Sequence, residues 1–155
     1  MIMYHISMIK VLFLCHGNIC RSVGAQNIFL NMIKKAGLED RFEVDSAALT
    51  REEIGNPIYP PMARELHKRG IPIVNHHARL VTKSDIDHFD IIFYMDDDNE
   101  YDLRGYGYYC DKTIPIYKYG NGFVEIEDPW YSGRFDLVVD QITICLKNYL
   151  ASLDM

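Results

Sequence analysis

One stretch indicates the fold: Val11-Leu12-Phe13-Leu14-Cys15-His16-Gly17-Asn18-Ile19-Cys20-Arg21-Ser22, near the start of this 155-residue chain. Its apolar first part predicts a buried strand, its polar centre a tight loop, and the residues from about Ser22 onward a helix. A loop that joins a strand to a helix N-terminus directs several backbone N–H groups and the positive end of the helix dipole into one concavity. Such a concavity suits a tetrahedral oxyanion, so the stretch predicts a phosphate-binding loop.

Two side chains of this loop suggest chemistry as well as binding. Thiols at helix N-termini tend to ionise, so Cys15 is a candidate nucleophile toward phosphorus. Arg21 supplies a planar fork that can hold two phosphate oxygens at once. Gly17 is predicted to allow a close approach of the backbone and a positive φ, and Asn18 also tolerates the left-handed region. The alternative is that Cys15 is a small buried hydrophobe and Arg21 an ordinary solvated charge.

Composition limits the classes of protein that fit. The charged fraction of 25% and the hydrophobic fraction of 48% are ordinary for one globular domain. A net charge of −6 disfavours nucleic-acid binding, and the sequence contains neither a membrane span nor a signal peptide, so a cytoplasmic location is expected. Four cysteines without a signal peptide predict neither a disulfide framework nor a zinc site. Residues 1–9 are predicted to be an N-terminal extension and residues 10–155 a single domain.

Apolar periodicity divides the rest of the chain into alternating strands and helices. Further strands are predicted at Phe42–Ala48, Ile91–Met95 and Thr113–Tyr117, and a long loop at Lys118–Gly133. Helices are predicted from Ser22 to Gly37, Pro61 to Arg69, Thr82 to His88, Asp96 to about Leu103, and Phe135 to about Leu153. The alternation implies a parallel sheet covered on both faces, with ligands at the carboxyl ends of its strands, where Cys15 falls.

The long loop contains a candidate acid in the sequence Glu127-Asp128-Pro129-Trp130-Tyr131. An alkoxide or phenoxide leaves phosphorus more easily when a positioned acid protonates it. Pro129 restricts the backbone of Asp128 to an extended conformation and so helps to direct its side chain. Taken alone, the motif is more typical of a plain Asp-Pro turn.

Together these motifs resemble the low-molecular-weight protein tyrosine phosphatases, over Lys10 to the C-terminus. The matching residues are Cys15 to Ser22, Asp45-Ser46-Ala47, His76 with Ala78-Arg79, Met95-Asp96 with Asn99 and Leu103, and Asp128-Pro129. The resemblance implies a three-layer α/β/α fold with a four-stranded parallel sheet and the phosphate-binding loop after the first strand. It also implies hydrolysis of phosphotyrosine and small aryl phosphates through a phosphocysteine intermediate, without metal or other cofactor.

The resemblance assigns roles to individual residues. Cys15 would be the nucleophile, Arg21 the phosphate clamp, and Asp128 the acid and then the base. The substrate-binding residues would be His16, Gly17, Asn18, Ile19, Cys20, Ser22, Glu52, Trp130 and Tyr131. Ser22 would also hydrogen-bond the thiolate, Ser46 and His76 would support the loop together with Asn18, and Cys20 would be able to form a reversible disulfide with Cys15.

Some residues depart from the family pattern or leave alternatives open. Glu52 stands where many relatives have an aromatic wall residue, and Gly24 is expected to weaken the first turn of the helix. Arsenate reductases of the same fold need two further cysteines close together, whereas Cys110 stands alone. Protein arginine phosphatases typically carry threonine at the position of Ile19.

The resemblance also indicates the partners. The expected partner is a phosphotyrosine-containing protein, with no nucleic acid or membrane, and the expected state is a monomer or weak dimer.

Overall fold

A computed structural model describes residues 8–155, so most of the predicted N-terminal extension, residues 1–7, lies outside the described residues. The four strands are β1 (Ile9–Cys15), β2 (Phe42–Ala48), β3 (Ile91–Tyr94) and β4 (Thr113–Pro115). They form one sheet in the order β2-β1-β3-β4, and all neighbouring strands run parallel. This confirms the four-stranded parallel sheet, with β1 at its centre.

Helices cover both faces of the sheet. They are α1 (Arg21–Lys35), α2 (Pro60–Lys68), α3 (Lys83–His88), α4 (Asp97–Tyr106), α5 (Pro129–Ser132) and α6 (Phe135–Ala151), with short 3-10 turns at Glu39–Arg41 and Ile116–Tyr119. The predicted end of α2 at Gly70 is confirmed, since Ile71 N donates to Leu66 O and Gly70 N to His67 O. Within residues 8–155, no helix has the length and apolar character needed to cross a bilayer.

Most element boundaries agree with the sequence-based predictions to within two residues, and three differences are larger or change the type of element. The last strand ends at Pro115, and the chain continues as a 3-10 turn where Thr113–Tyr117 was expected to be extended. The fourth helix continues past Leu103 to Tyr106, and Gly107 ends it with a φ of 75°. The expected loop Lys118–Gly133 contains the one-turn helix α5, because Pro129 occupies its first position and Asp128 caps it.

The central strand is buried on both faces, as its continuous apolar run predicted. Val11 and Phe13 face one core cluster with α1 and α6, while Leu12 and Leu14 face a second cluster that includes Leu103 of α4. All four side chains are 0% exposed. Burial of each contributes roughly 1.5–3 kcal/mol, so the strand that ends at Cys15 is held rigidly.

Helix α1 packs closely against α2 at Gly24. A Cβ atom at this position would lie 3.2 Å from Sδ of Met62, whose side chain is fully buried. The glycine expected to weaken the helix therefore makes room for α2. Its position one turn into α1 keeps α2 close to the start of that helix, where the phosphate-binding loop ends.

Candidate active site

The loop between Cys15 and Arg21 joins the carboxyl end of β1 to the N-terminus of α1. Its left-handed residue is Asn18, with a φ of 60°, one of the two loop positions at which the sequence allowed this conformation. Gly17 instead provides space: a Cβ there would lie 3.3 Å from Cγ of Glu53. Asn18 tolerates this conformation because its short polar side chain makes local hydrogen bonds.

The sulfur of Cys15 is surrounded by hydrogen-bond donors. The backbone N–H groups of Asn18 and Ser22 lie 3.3 and 3.4 Å from Sγ, and the Ser22 hydroxyl oxygen lies 3.0 Å from it. Cys15 is 3% exposed. The two backbone N–H groups, the N-terminus of α1 and, once the thiol has ionised, the Ser22 hydroxyl can stabilise negative charge on the sulfur.

A hydrogen-bond network lies behind the loop and holds Asn18 in place. Its Nδ2 donates to Ser22 Oγ at 2.7 Å and to Ser46 Oγ at 2.9 Å. The Ser46 hydroxyl in turn donates to Oε1 of Gln26 at 2.6 Å. Because Ser22 Oγ accepts from Asn18, its own hydroxyl proton is free to be donated to the sulfur of Cys15 when the thiol has ionised.

His76 completes the network from the other side. Its Nε2 lies 2.7 Å from Asn18 Oδ1 and 3.3 Å from Ser46 Oγ. Burial lowers the pKa of His76, and the attraction of Asp45 only partly offsets this. Since Asn18 Oδ1 can only accept, the neutral imidazole carries its proton on Nε2 and donates it to Asn18.

Arg21 is held in the cleft by fixed acceptors. Its Nη1 donates to Asp96 Oδ2 at 2.7 Å and to the Ile126 carbonyl at 2.9 Å, while Nη2 lies 3.5 Å from Asp128 Oδ2. Burial disfavours its charge, but the negative charges of Cys15, Asp96 and Asp128 outweigh that effect and raise the pKa of Arg21. Although only 2% exposed, the guanidinium stays charged and is available to an anion.

Asp128 also lines the cleft. As the N-cap of α5, it accepts the backbone N–H of Trp130 through Oδ1 at 3.1 Å. Its second oxygen, Oδ2, faces Arg21. The cap thus uses one carboxylate oxygen and leaves the other directed at the cleft, beside the phosphate-binding loop.

An open cleft of about 540 Å³ brings most of the predicted site residues together. It is lined by Cys15, His16, Gly17, Ile19, Cys20, Arg21, Glu52, Glu53, Asp128, Trp130 and Tyr131. Asn18 and Ser22, predicted to bind substrate, lie with Ser46 and His76 in the network behind the loop. Within residues 8–155, no group of three His, Cys, Asp or Glu side chains is arranged to hold a metal ion.

The rim of the cleft contains both aromatic and acidic side chains. Trp130 and Tyr131 are 52% and 85% exposed, and the ring of Tyr59 supports Trp130 at a centroid distance of 4.9 Å. Among the acidic residues, Glu52 has its Oε2 2.8 Å from Nε2 of His16. Flat apolar surfaces at the mouth are suited to an aromatic ring.

The thiols divide into two groups. Cys15 and Cys20 line the cleft, and burial raises the pKa of Cys20 far above its usual range, so it stays a protonated thiol. Cys110 is exposed in the turn before β4, and Cys145 is buried in the middle of α6. The structure thus places the two other cysteines away from the cleft.

Sequence reasoning missed three residues of the site. Asp96 holds Arg21, Gln26 accepts from Ser46, and Glu53 lies against Gly17. Asp96 could have been found, since it follows β3 at the same sheet edge as Cys15. Gln26 lies four residues after Ser22, on the same face of α1. The position of Glu53 depends on the course of the loop after β2, which has no comparable signal.

The chain is similar to known proteins over nearly its whole length. The family model described as "Low molecular weight phosphotyrosine protein phosphatase" matches residues 10–155. The chain is 36% identical over 150 residues to the low molecular weight protein-tyrosine-phosphatase YfkJ of Bacillus subtilis, covering 94% of this chain and 96% of that protein. It is 37% identical over 149 residues to the Gallus gallus low molecular weight phosphotyrosine protein phosphatase, with 91% and 93% covered. The crystal structure of YfkJ superposes with a TM-score of 0.90, covering 95% of both chains.

Proposed function

Because the chain belongs to the low molecular weight phosphotyrosine protein phosphatase family, we propose that it hydrolyses phosphotyrosine in proteins, with Cys15, Arg21 and Asp128 as its catalytic residues. The observation that carries this proposal is the meeting of these three side chains in one cleft. A nucleophile, a fixed cation for the phosphate oxygens and a carboxyl group for the leaving oxygen are the groups that the reaction requires.

In the first step, the Cys15 thiolate attacks phosphorus. An S–P bond forms while the bond between phosphorus and the tyrosyl oxygen breaks, and protonated Asp128 gives its proton to that oxygen. The loop N–H groups and Arg21 hold the three other phosphate oxygens, where negative charge is present throughout the transfer. The product of this step is a phosphocysteine intermediate and a free tyrosine side chain.

In the second step, a water molecule attacks phosphorus from the side that the tyrosyl oxygen has left. Asp128, now a carboxylate, takes a proton from the water while the S–P bond breaks. The electron pair returns to the Cys15 sulfur, where the Ser22 hydroxyl and the two backbone N–H groups stabilise it. Inorganic phosphate leaves, and the thiolate and the protonated carboxyl group are restored.

The cleft favours an aryl phosphate. Ile19, 7% exposed, contributes an apolar surface at the loop, and Trp130 and Tyr131 form an aromatic side of the rim. An aryl ring can pack between these surfaces while its phosphate reaches Cys15. Glu52 replaces the aromatic wall expected from the family on the other side, so stacking is confined to the Trp130 side.

Turnover of p-nitrophenyl phosphate and of a phosphotyrosine peptide, in the presence of a chelator, tests the proposal. Cys15→Ser is expected to abolish turnover, because a neutral hydroxyl is a poor nucleophile. Asp128→Ala is expected to lower kcat by about 10²–10⁴-fold for poor leaving groups, with phosphate inhibition retained. Cys110→Ser is the control and should behave as wild type. Turnover by Cys15→Ser above background would contradict the mechanism.

The two alternative functions, protein arginine phosphatase and arsenate reductase, are tested in parallel. Phosphoarginine and arsenate, the latter with a thiol reductant, are offered to the same preparation. Faster turnover of phosphoarginine than of phosphotyrosine would favour an arginine phosphatase, in spite of Ile19. Arsenate reduction that Cys110→Ser abolishes would favour the reductase.

A separate experiment tests the intermediate. Rapid acid quenching with a radiolabelled aryl phosphate should place the label on the peptide that contains Cys15.

A further inference from the structure

We propose that Glu52 and Glu53 make this cleft select phosphotyrosine residues whose sequence neighbours carry positive charge. The inference rests on the proposed phosphatase function and adds the substrate class to it. Both glutamates line the cleft together with the exposed rings of Trp130 and Tyr131, and the Glu52 side chain is 66% exposed, which places it at the mouth of the cleft. A peptide that delivers phosphotyrosine to Cys15 must cross this mouth, so its flanking side chains pass close to the two glutamates.

The segment that carries the glutamates is attached to the phosphate-binding loop. Leu49 N donates to Cys15 O at 2.9 Å, and Thr50 donates to His16 O through its backbone N at 3.1 Å and its hydroxyl at 2.9 Å. Glu53 then packs against Gly17, which has no side chain to keep it away. These contacts fix the backbone just before the glutamates and hold Glu53 against the loop, while Glu52 is held by its contact with His16.

The charge at the mouth is left largely uncompensated. Glu53 Oε2 accepts from the neutral side chain of Asn56 at 2.7 Å. Glu52 faces His16, which offsets its charge only when the imidazole is protonated. Arg51, the neighbouring cation, is exposed and lies outside the residues that line the cleft.

Within residues 8–155, Arg21 is the one arginine or lysine that lines the cleft. Asp96 and Asp128 already interact with the guanidinium of Arg21, and the phosphate group of the bound substrate neutralises the rest of its positive charge. An acidic side chain beside the phosphotyrosine would therefore be repelled, and a lysine or arginine would be attracted. The net charge of −6 acts in the same direction at low salt.

A pair of phosphotyrosine peptides tests the inference. They have the same length and differ only in carrying lysine or glutamate on both sides of the phosphotyrosine. Exposed charge pairs are worth about 1.5- to 5-fold each, so kcat/KM is expected to favour the basic peptide by roughly 5- to 20-fold at low ionic strength. The preference should shrink as salt is raised from about 0.02 to 0.5 M, because the Debye length falls well below 10 Å.

Variants locate the effect. Glu52→Gln and Glu53→Gln, singly and together, are expected to reduce the ratio of the two kcat/KM values by about 2- to 5-fold per charge. The change should appear mainly in KM, because the flanking residues take no part in the bond making. Glu39→Gln removes one negative charge from an exposed site before β2, at the other end of the sheet, and should leave the ratio unchanged.

The outcomes separate this inference from the proposed function. Each variant is also assayed with p-nitrophenyl phosphate, which has no flanking residues and serves to normalise the peptide rates. If wild type fails to hydrolyse it, the proposed function is wrong. If wild type hydrolyses it but treats both peptides alike, or if the double variant keeps the full ratio, the charge selection is wrong. A loss of rate shared equally by all substrates would indicate a structural role only and would also overturn it.

Discussion

Arg21, the proposed phosphate clamp, is bound to Asp96, with 2.7 Å between Nη1 and Oδ2. Asp96 is itself fixed, because its Oδ1 caps α4 by accepting the N–H of Asn99 at 2.9 Å. One carboxylate thus links the start of α4 to the guanidinium in the cleft. With the Ile126 carbonyl as a second acceptor, Nη1 is fully engaged and Nη2 remains for the substrate.

We predict that Asp96→Asn impairs both the clamp and the fold. Asparagine can still cap α4 through its oxygen, but its amide group would then face Nη1 of Arg21, donor against donor. A buried guanidinium that loses a charged partner destabilises the protein by about 1–3 kcal/mol, and kcat/KM should fall by about 10-fold or more. Urea unfolding and aryl phosphate turnover measure the two effects. Asp98→Asn, an exposed position of the same first turn, is the matched control, and equal behaviour of both variants would refute the prediction.

We predict that Ser22→Ala slows the second chemical step more than the first. The hydroxyl lies 3.0 Å from the Cys15 sulfur, which carries negative charge whenever the S–P bond breaks. A hydrogen bond to a charged group is worth about 1.5–3 kcal/mol, so kcat should fall by about 10- to 100-fold. Phosphocysteine should accumulate, visible as a burst of phenol before steady state. Ser84→Ala on the exposed face of α3 is the control, and a reduced rate without a burst would contradict the prediction.

The sequence was sufficient for the parts of this protein that depend on local pattern. The apolar run before Cys15 predicted a strand buried on both faces, and Val11 and Leu12 do face opposite core clusters. Glycine endings such as Gly70 and the Asp128-Pro129 motif also carry their own conformational signal. In each case the structure is determined by residues that lie within a few positions of one another in the sequence.

The remaining features depend on tertiary contacts that no short pattern encodes. After Pro115 the chain forms a 3-10 turn, in which Ile116 is fully buried in the core cluster that includes residues of α6. Asn18 rather than Gly17 adopts the positive φ, because the hydrogen bonds to Ser46 and His76 fix it there. These partners are 28 and 58 residues away in the chain.

We predict that His76 makes stability depend on pH. Burial lowers the pKa of His76 from its usual 6.5, so the unfolded chain binds a proton more readily than the native protein. Stability should therefore fall as the pH drops below about 6.5, toward the lowered pKa of the native state. Gln26→Glu places a carboxylate beside Ser46, close to the imidazole, and should raise the pKa of His76 and reduce this loss.

NMR titration of the imidazole and urea unfolding between pH 5 and about 8 measure the two effects, over the range in which histidine titrates. Gln141→Glu is the matched control. The Gln141 side chain accepts a hydrogen bond from Glu127 N and makes no hydrogen bond to Asn18, Ser46 or His76. The control should leave the His76 titration where it is in wild type. An unchanged His76 pKa in Gln26→Glu would show that Gln26 lies outside the electrostatic reach of the network.

We predict that Arg79 stabilises the segment that presents His76. Its guanidinium makes a two-pronged contact with Asp85, at 2.9 and 3.0 Å, and a third contact with Asp45 at 3.0 Å. Arg79→Met should lower the free energy of unfolding at pH 7 by about 1–2 kcal/mol, less than for a fully buried pair because the group is partly exposed. Arg79→Lys should be intermediate, since lysine keeps the charge but not the fork.

Acidification should remove this difference. Burial alone would raise the pKa of Asp85, but the hydrogen bonds from Arg79 and Thr82 outweigh it and lower the pKa below 3.8. The stabilisation is therefore present above pH 3.8 and is lost as the pH falls through the lowered value, so wild type and Arg79→Met should converge in acid. Lys83→Met breaks the exposed pair with Asp87 and should change little at any pH. A constant difference between wild type and Arg79→Met down to acid pH would assign the effect to lost packing of the arginine stem instead of its charge.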